Sequence, residues 1–206
     1  MIRLRHIIPL AAACLLTLGS CKGDTEERTL LPADLELRPG DLVFRRGTGL
    51  TSHTVLIADN NGNYSHVGII ADSAGVMMVV HAVPGEPDFE GDPDRVKMEP
   101  PEKFFSSLNA SLGEVCRPTD SLMGRRAAEA AMDFYHRHPL FDHHYDSEDT
   151  TRMYCTQLVI EAYREAGCQL TGPPTHSFSI PGLSCVCWLP SDIYHSQYMK
   201  SVRIFE

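Results

Sequence analysis

A cysteine and a histidine in this chain have the types and settings that thiol hydrolysis requires. Cys155 stands in Tyr154-Cys155-Thr156-Gln157-Leu158-Val159. His66 stands about ninety residues earlier, in Ser65-His66-Val67-Gly68-Ile69-Ile70. In such a pair the sulfur is the nucleophile and the imidazole removes its proton. From Cys155 the apolar positions Leu158, Val159, Ala162, Tyr163 and Ala166 follow at helical spacing, and Gly167 supplies a stop. The spacing predicts that Cys155 opens an amphipathic helix, where exposed N–H groups and the helix dipole stabilise a thiolate. Beside an imidazole, a thiolate–imidazolium pair is expected near neutral pH. A small buried cysteine that only packs is the competing reading.

His66 needs an acceptor on its second nitrogen to fix the tautomer. Tyr64–Ala71 and Val76–Val83 are β-rich runs around Asp72-Ser73-Ala74-Gly75, which reads as a hairpin with a four-residue loop. Pairing Ala71 with Val76 places His66 directly opposite His81, with Cβ atoms roughly 4.5–5.5 Å apart. Asp41 and Glu86 are the carboxylates that could take the place of His81. The segment His138–Asp146 carries several His and Asp side chains, types that suit zinc-like ions. His143 and His144 are adjacent and diverge, and no HExxH spacing is present, so a solvated loop is the simpler reading.

The elements that position these residues are legible in part. Asp41–Phe44 reads as a first strand after the turn Leu37-Arg38-Pro39-Gly40. Thr51–Ala58 fits either a short helix or an extended segment. Pro84–Pro101 reads as a long surface loop, Lys103–Leu108 as a short helix and Gly113–Arg117 as a strand. Ala127, Ala130, Ala131, Phe134, Tyr135 and His138 define one face of a helix that begins near Pro118–Ser121 and ends at Pro139. Pro173–Leu189 reads as loop, and Tyr198–Phe205 as a final strand.

The N-terminus reads as a targeting segment. Arg3 and Arg5 precede an apolar stretch from Ile7 to Leu18, and Leu18-Gly19-Ser20-Cys21 is similar to the bacterial lipobox. The expected organisation is a signal peptide over residues 1–20, a tether over 21–36 lipidated at Cys21, and one domain over 37–206. Removal of the signal leaves 186 residues, enough for one substantial core. The net charge of −9 becomes −11. An acidic chain argues against nucleic-acid partners and against docking on anionic lipid. Cys116, Cys168, Cys185 and Cys187 could form disulfides in an exported protein, with the pairing open.

Gly40-Asp41-Leu42-Val43-Phe44, Ser65-His66-Val67-Gly68-Ile69 and Val80-His81-Ala82, followed by Tyr154-Cys155-Thr156-Gln157-Leu158-Val159, resemble the NlpC-type cell-wall cysteine peptidases. The Cys segment follows the His segment here, the reverse of papain. That order is similar to the circularly permuted branch, the YiiX/YebB-like papain-like hydrolases, over roughly residues 37–170. The resemblance implies an α+β, permuted papain-like fold in which a small antiparallel β-barrel or sheet packs against the Cys-bearing helix. It implies Cys155 as nucleophile, His66 as base, His81 as the polar third residue and no cofactor or metal. Many permuted members have Glu where this chain has His81. The backbone N–H of Cys155 and a neighbouring donor, with Tyr154 adjacent, would hold the oxyanion. The implied substrate is a peptide, a cell-wall fragment or an acyl amide. The alternatives are a peptide- or lipid-binding lipoprotein that keeps the fold without catalysis, and a lipid-acting thiol acyltransferase or esterase.

Overall fold

The computed structural model describes residues 28–206 apart from 61, 181 and 182. The signal peptide and the lipidated Cys21 lie outside the described residues. In chain order the elements are β1 (Leu42–Gly47), α1 (Leu50–Ala58), β2 (His66–Ser73), β3 (Val76–Val83), β4 (Arg95–Glu99) and α2 (Pro101–Phe104). Then come β5 (Ala110–Pro118), α3 (Ser121–Arg137), β6 (Leu140–Phe141), β7 (Arg152–Met153) and α4 (Cys155–Glu165). The chain closes with β8 (His176–Ile180), β9 (Leu183–Cys187), α5 (Pro190–Tyr194) and β10 (Met199–Phe205).

Eight strands form one sheet in the order β10-β5-β1-β2-β3-β4-β6-β7, and β8 pairs with β9 separately. All neighbours in the large sheet are antiparallel except β6 and β7. The architecture is α+β as expected, with the antiparallel strands gathered in this eight-stranded sheet. Alternation along the strands gives it two apolar faces. Leu42, Phe44, Val67, Ile69, Val80 and Ala82 lie in the larger core with α3 and α4. Val43, Ile70, Val79 and Val115 lie in a second core with Phe104, Phe105 and Phe205.

Local chemistry accounts for the helices. Asp120 caps α3 by accepting from the Leu122 and Met123 N–H groups at 2.8 and 3.3 Å. The buried alanines of α3 and the Leu158–Tyr163 face of α4 then fill the larger core. The turn before β1 abuts α3 so closely that a Cβ on Gly40 would sit 2.4 Å from Gly124 backbone, and Gly40 has φ +90°. The Tyr163 hydroxyl donates to the Gly40 carbonyl at 2.6 Å, tying α4 to the same turn.

Several expectations are revised. The hairpin turn is two residues, Ala74-Gly75, not four. Both have positive φ, 54° and 87°, which suits the tight turns whose twist matches paired strands. The register is therefore Ser73 with Val76 and Ile69 with Val80. The long loop expected at Pro84–Pro101 contains β4, and the tail expected as loop contains the β8–β9 hairpin and α5. Thr51–Ala58 is helical. Residues 28–36, expected as tether, lie against the domain: the Leu30 N–H donates to the Phe105 carbonyl at 2.8 Å, and Leu30, Leu31 and Leu35 pack on the second core. The described cysteines are all free thiols.

Candidate active site

β2 begins at His66, and β1 pairs Arg45 with it. β3 carries His81, which β4 pairs with Lys97. Glu99 is two residues further along β4 and so faces the same side. Arg45, His66, His81, Lys97 and Glu99 thus form a polar strip on the second face of the sheet, each no more than 6 % exposed. Phe104 of α2 covers the strip, stacking on His66 at 5.6 Å and meeting His81 edge-on at 5.2 Å.

The two imidazoles are bonded directly, His66 Nε2 to His81 Nδ1 at 2.8 Å. His81 Nε2 lies 3.2 Å from Glu99 Oε1, an ion contact off the axis of an aligned hydrogen bond. Burial opposes ionisation of Glu99, but His81, Lys97 and Arg45 outweigh it and hold the carboxyl down at about 2. An ionised Glu99 places the His81 proton on Nε2. His81 Nδ1 is then an acceptor, so His66 Nε2 carries its proton and donates. The lone pair of neutral His66 is left on Nδ1. Burial, reinforced by Arg45, His81 and Lys97, holds His66 well below its ordinary value. Burial also lowers His81, against the pull of Glu99.

Cys155 is the first residue of α4 and approaches from the opposite face. The β2–β3 ladder ends at Ile69–Val80. Beyond it the Val67 N–H is directed at the Cys155 sulfur, as is the Thr156 N–H. The Thr156 hydroxyl lies 3.7 Å from the sulfur. Among the described residues the thiol makes no hydrogen bond to His66, although it meets β2 at the very next residue. Burial raises the Cys155 thiol above its ordinary value, and the nearby N–H groups and Arg45 only partly offset this. The resting pair is therefore neutral thiol and neutral imidazole, not the thiolate–imidazolium pair that a helix N-terminus by itself suggests. Desolvation is the larger effect here.

The end of α4 is fixed by Gln157, fully buried, which accepts from the Tyr154 N–H at 3.4 Å and donates to the Asp149 carbonyl at 2.9 Å. Tyr154 is wholly buried and its hydroxyl accepts from the Trp188 N–H at 3.1 Å. It ties α4 to the tail. Asp41 is engaged by Arg117 at 2.7 Å, remote from His81 in the pairing scheme, and Glu86 is paired with Arg45. Neither carboxylate takes the place of His81. Glu99, which the sequence did not single out, is the carboxylate at this site; its only signal was the alternation Arg95-Val96-Lys97-Met98-Glu99. In the His138–Asp146 segment, Asp142 accepts from the His144 and Asp146 N–H groups and so closes a turn, while His143 pairs with Asp94 at 3.1 Å. Among the described residues no three His, Cys, Asp or Glu side chains are placed to hold a metal ion.

His66 opens onto a cavity of about 340 Å³ shared with Arg45, Glu86, Ser52, Asn109 and Leu50. No family model matches the chain, and no curated protein matches it. A solved structure described as the metalloprotein yiiX from Escherichia coli O157:H7, DUF1105, is similar, with TM-score 0.65 and 17% identity. The match covers 82% of this chain and 98% of that one. At this identity the likeness shows a shared fold.

Proposed function

We propose that this chain is a thiol hydrolase of the amidase or peptidase type. Cys155 attacks an amide carbonyl, and His66 Nδ1 accepts the thiol proton and returns it to the leaving nitrogen. His81 and Glu99 hold the tautomer and compensate the imidazolium as it forms. Backbone N–H groups at the start of α4 receive the oxyanion. The observation that carries this reading is the buried chain from Glu99 through His81 to His66, set at the strand end that touches the Cys155 sulfur. Such a chain is costly to bury for packing alone.

The neighbour's description as a metalloprotein raises a resident metal, and the residues here do not fit one. The nitrogens of His66 and His81 that would share an ion are bonded to one another at 2.8 Å. A second reading, a binding protein on this fold without catalysis, is favoured by the raised thiol of Cys155. Export and lipid attachment at Cys21 belong to the same proposal and rest on the N-terminal sequence. Among the described residues no helix is long and apolar enough to cross a membrane.

The deciding experiment is labelling of the full chain by an acyl chloromethyl ketone, read by mass spectrometry. The label is expected on Cys155, with a rate at pH 7 that falls about 10²-fold in His66→Ala. Equal rates in the two proteins would leave the binding reading.

A further inference from the structure

The hydrolase reading leaves the substrate open, and the cavity beside His66 carries more information than its size. Arg45 is 2 % exposed, and its guanidinium donates from Nη1 to the Phe104 carbonyl at 2.9 Å and from Nη2 to Glu86 Oε1. Two atoms of this ion pair remain without a partner among the described residues, Arg45 Nε and Glu86 Oε2, and both are buried. A buried donor or acceptor left unpaired costs about 1–3 kcal/mol. Here one donor and one acceptor belong to two bonded side chains that line the same cavity as His66.

From this geometry we infer, on the basis of the hydrolase reading, that Arg45 and Glu86 form a subsite for one residue of an extended peptide beside the reacting carbonyl. The N–H and C=O of one residue in extended backbone point to the same side, as they do between antiparallel strands. The C=O accepts from Arg45 Nε and the N–H donates to Glu86 Oε2. Other ligand classes fit less well. A carboxylate meets Glu86, an ammonium meets Arg45, and an alkyl chain leaves both atoms unpaired and desolvated. The subsite therefore selects a neutral peptide backbone over a fatty acyl chain. Arg45 and Glu86 are specificity determinants rather than catalytic residues.

The test is a competition of probes with one warhead on the full chain. An acetyl-dialanyl chloromethyl ketone, its analogue N-methylated at the residue beside the warhead-bearing one, and an alkyl chloromethyl ketone of equal length are compared by the rate at which they label Cys155. The peptidyl probe is expected to react at least tenfold faster than the alkyl one in the wild-type protein. N-methylation should remove most of that advantage. In Glu86→Gln, where an N–H group replaces the free acceptor, the peptidyl-to-alkyl ratio should approach one. Equal rates for peptidyl and alkyl probes, or an N-methyl probe as fast as its parent, would overturn the subsite. The ratio is independent of whether labelling needs His66. A peptidyl preference accompanied by a His66→Ala labelling rate equal to that of the wild type would sink the hydrolase and leave the subsite standing.

Discussion

His66 Nε2 lies 2.8 Å from His81 Nδ1, although the strand register pairs His81 with neither His66 nor its immediate neighbours in sequence on the ladder that ends at Ile69–Val80. The contact is diagonal across the β2–β3 pair. It commits one nitrogen of each ring, and Glu99 decides which atoms carry the protons.

The first prediction concerns that decision. Glu99→Gln removes the charge that places the His81 proton on Nε2, and so loosens the tautomer of His66. Labelling of Cys155 should slow by about 10²-fold at pH 7, with circular dichroism unchanged. Glu99→Asp should recover part of the loss. A Glu99→Gln protein that labels at the wild-type rate would reduce Glu99 to a structural carboxylate.

The second concerns pH. His66 is held below its ordinary value and the Cys155 thiol above its own. The base is then already neutral at pH 6.5, and its acid limb lies lower. Wild-type labelling should be nearly flat between about pH 6.5 and 8. In His66→Ala only the thiolate reacts, so the rate should climb about tenfold per pH unit across that range. A wild-type rate that climbs in the same way would show that His66 takes no proton.

Stability should depend on acid in two windows. The folded-state values of His66 and His81 are depressed, so the unfolded chain binds more protons as pH falls below about 6.5. Stability is fully present above that value and declines below it, with a slope on the order of 1 kcal/mol per pH unit for each group. Glu99, held at about 2, adds a second loss as pH falls from its ordinary value of 4.5. Urea midpoints measured from pH 7.5 to 4 should show the first decline, and His81→Gln should flatten it.

Gly68 offers a test of the packing beneath the histidines. A Cβ there would meet Val79 Cγ1 at 2.6 Å and His81 Cβ at 3.2 Å. Gly68→Ala should cost about 1–3 kcal/mol by overpacking, and should displace His81 from His66. Chemical denaturation reads the first effect and the Cys155 labelling rate reads the second. A variant unchanged in both would show that the strands separate there without strain.

The sequence by itself determined the local elements that hold the chemistry. Helical spacing from Leu158 to Ala166 put Cys155 at a helix start, and the β-rich run after Tyr64 put His66 on a strand. The hairpin parity put His81 on the same face, because a shift of two residues in register leaves facing unchanged. Tertiary structure decided what those residues meet. β4 was hidden because Arg95, Lys97 and Glu99 alternate toward a buried polar strip, a pattern that in sequence reads as solvated surface. The pairing of Arg45 with Glu86 and the approach of α4 to Val67 join segments far apart in the chain, for which no local pattern exists. The protonation of Cys155 and His66 followed the same division. The helix start favours a thiolate, but burial is a property of the whole fold, and it keeps both Cys155 and His66 neutral.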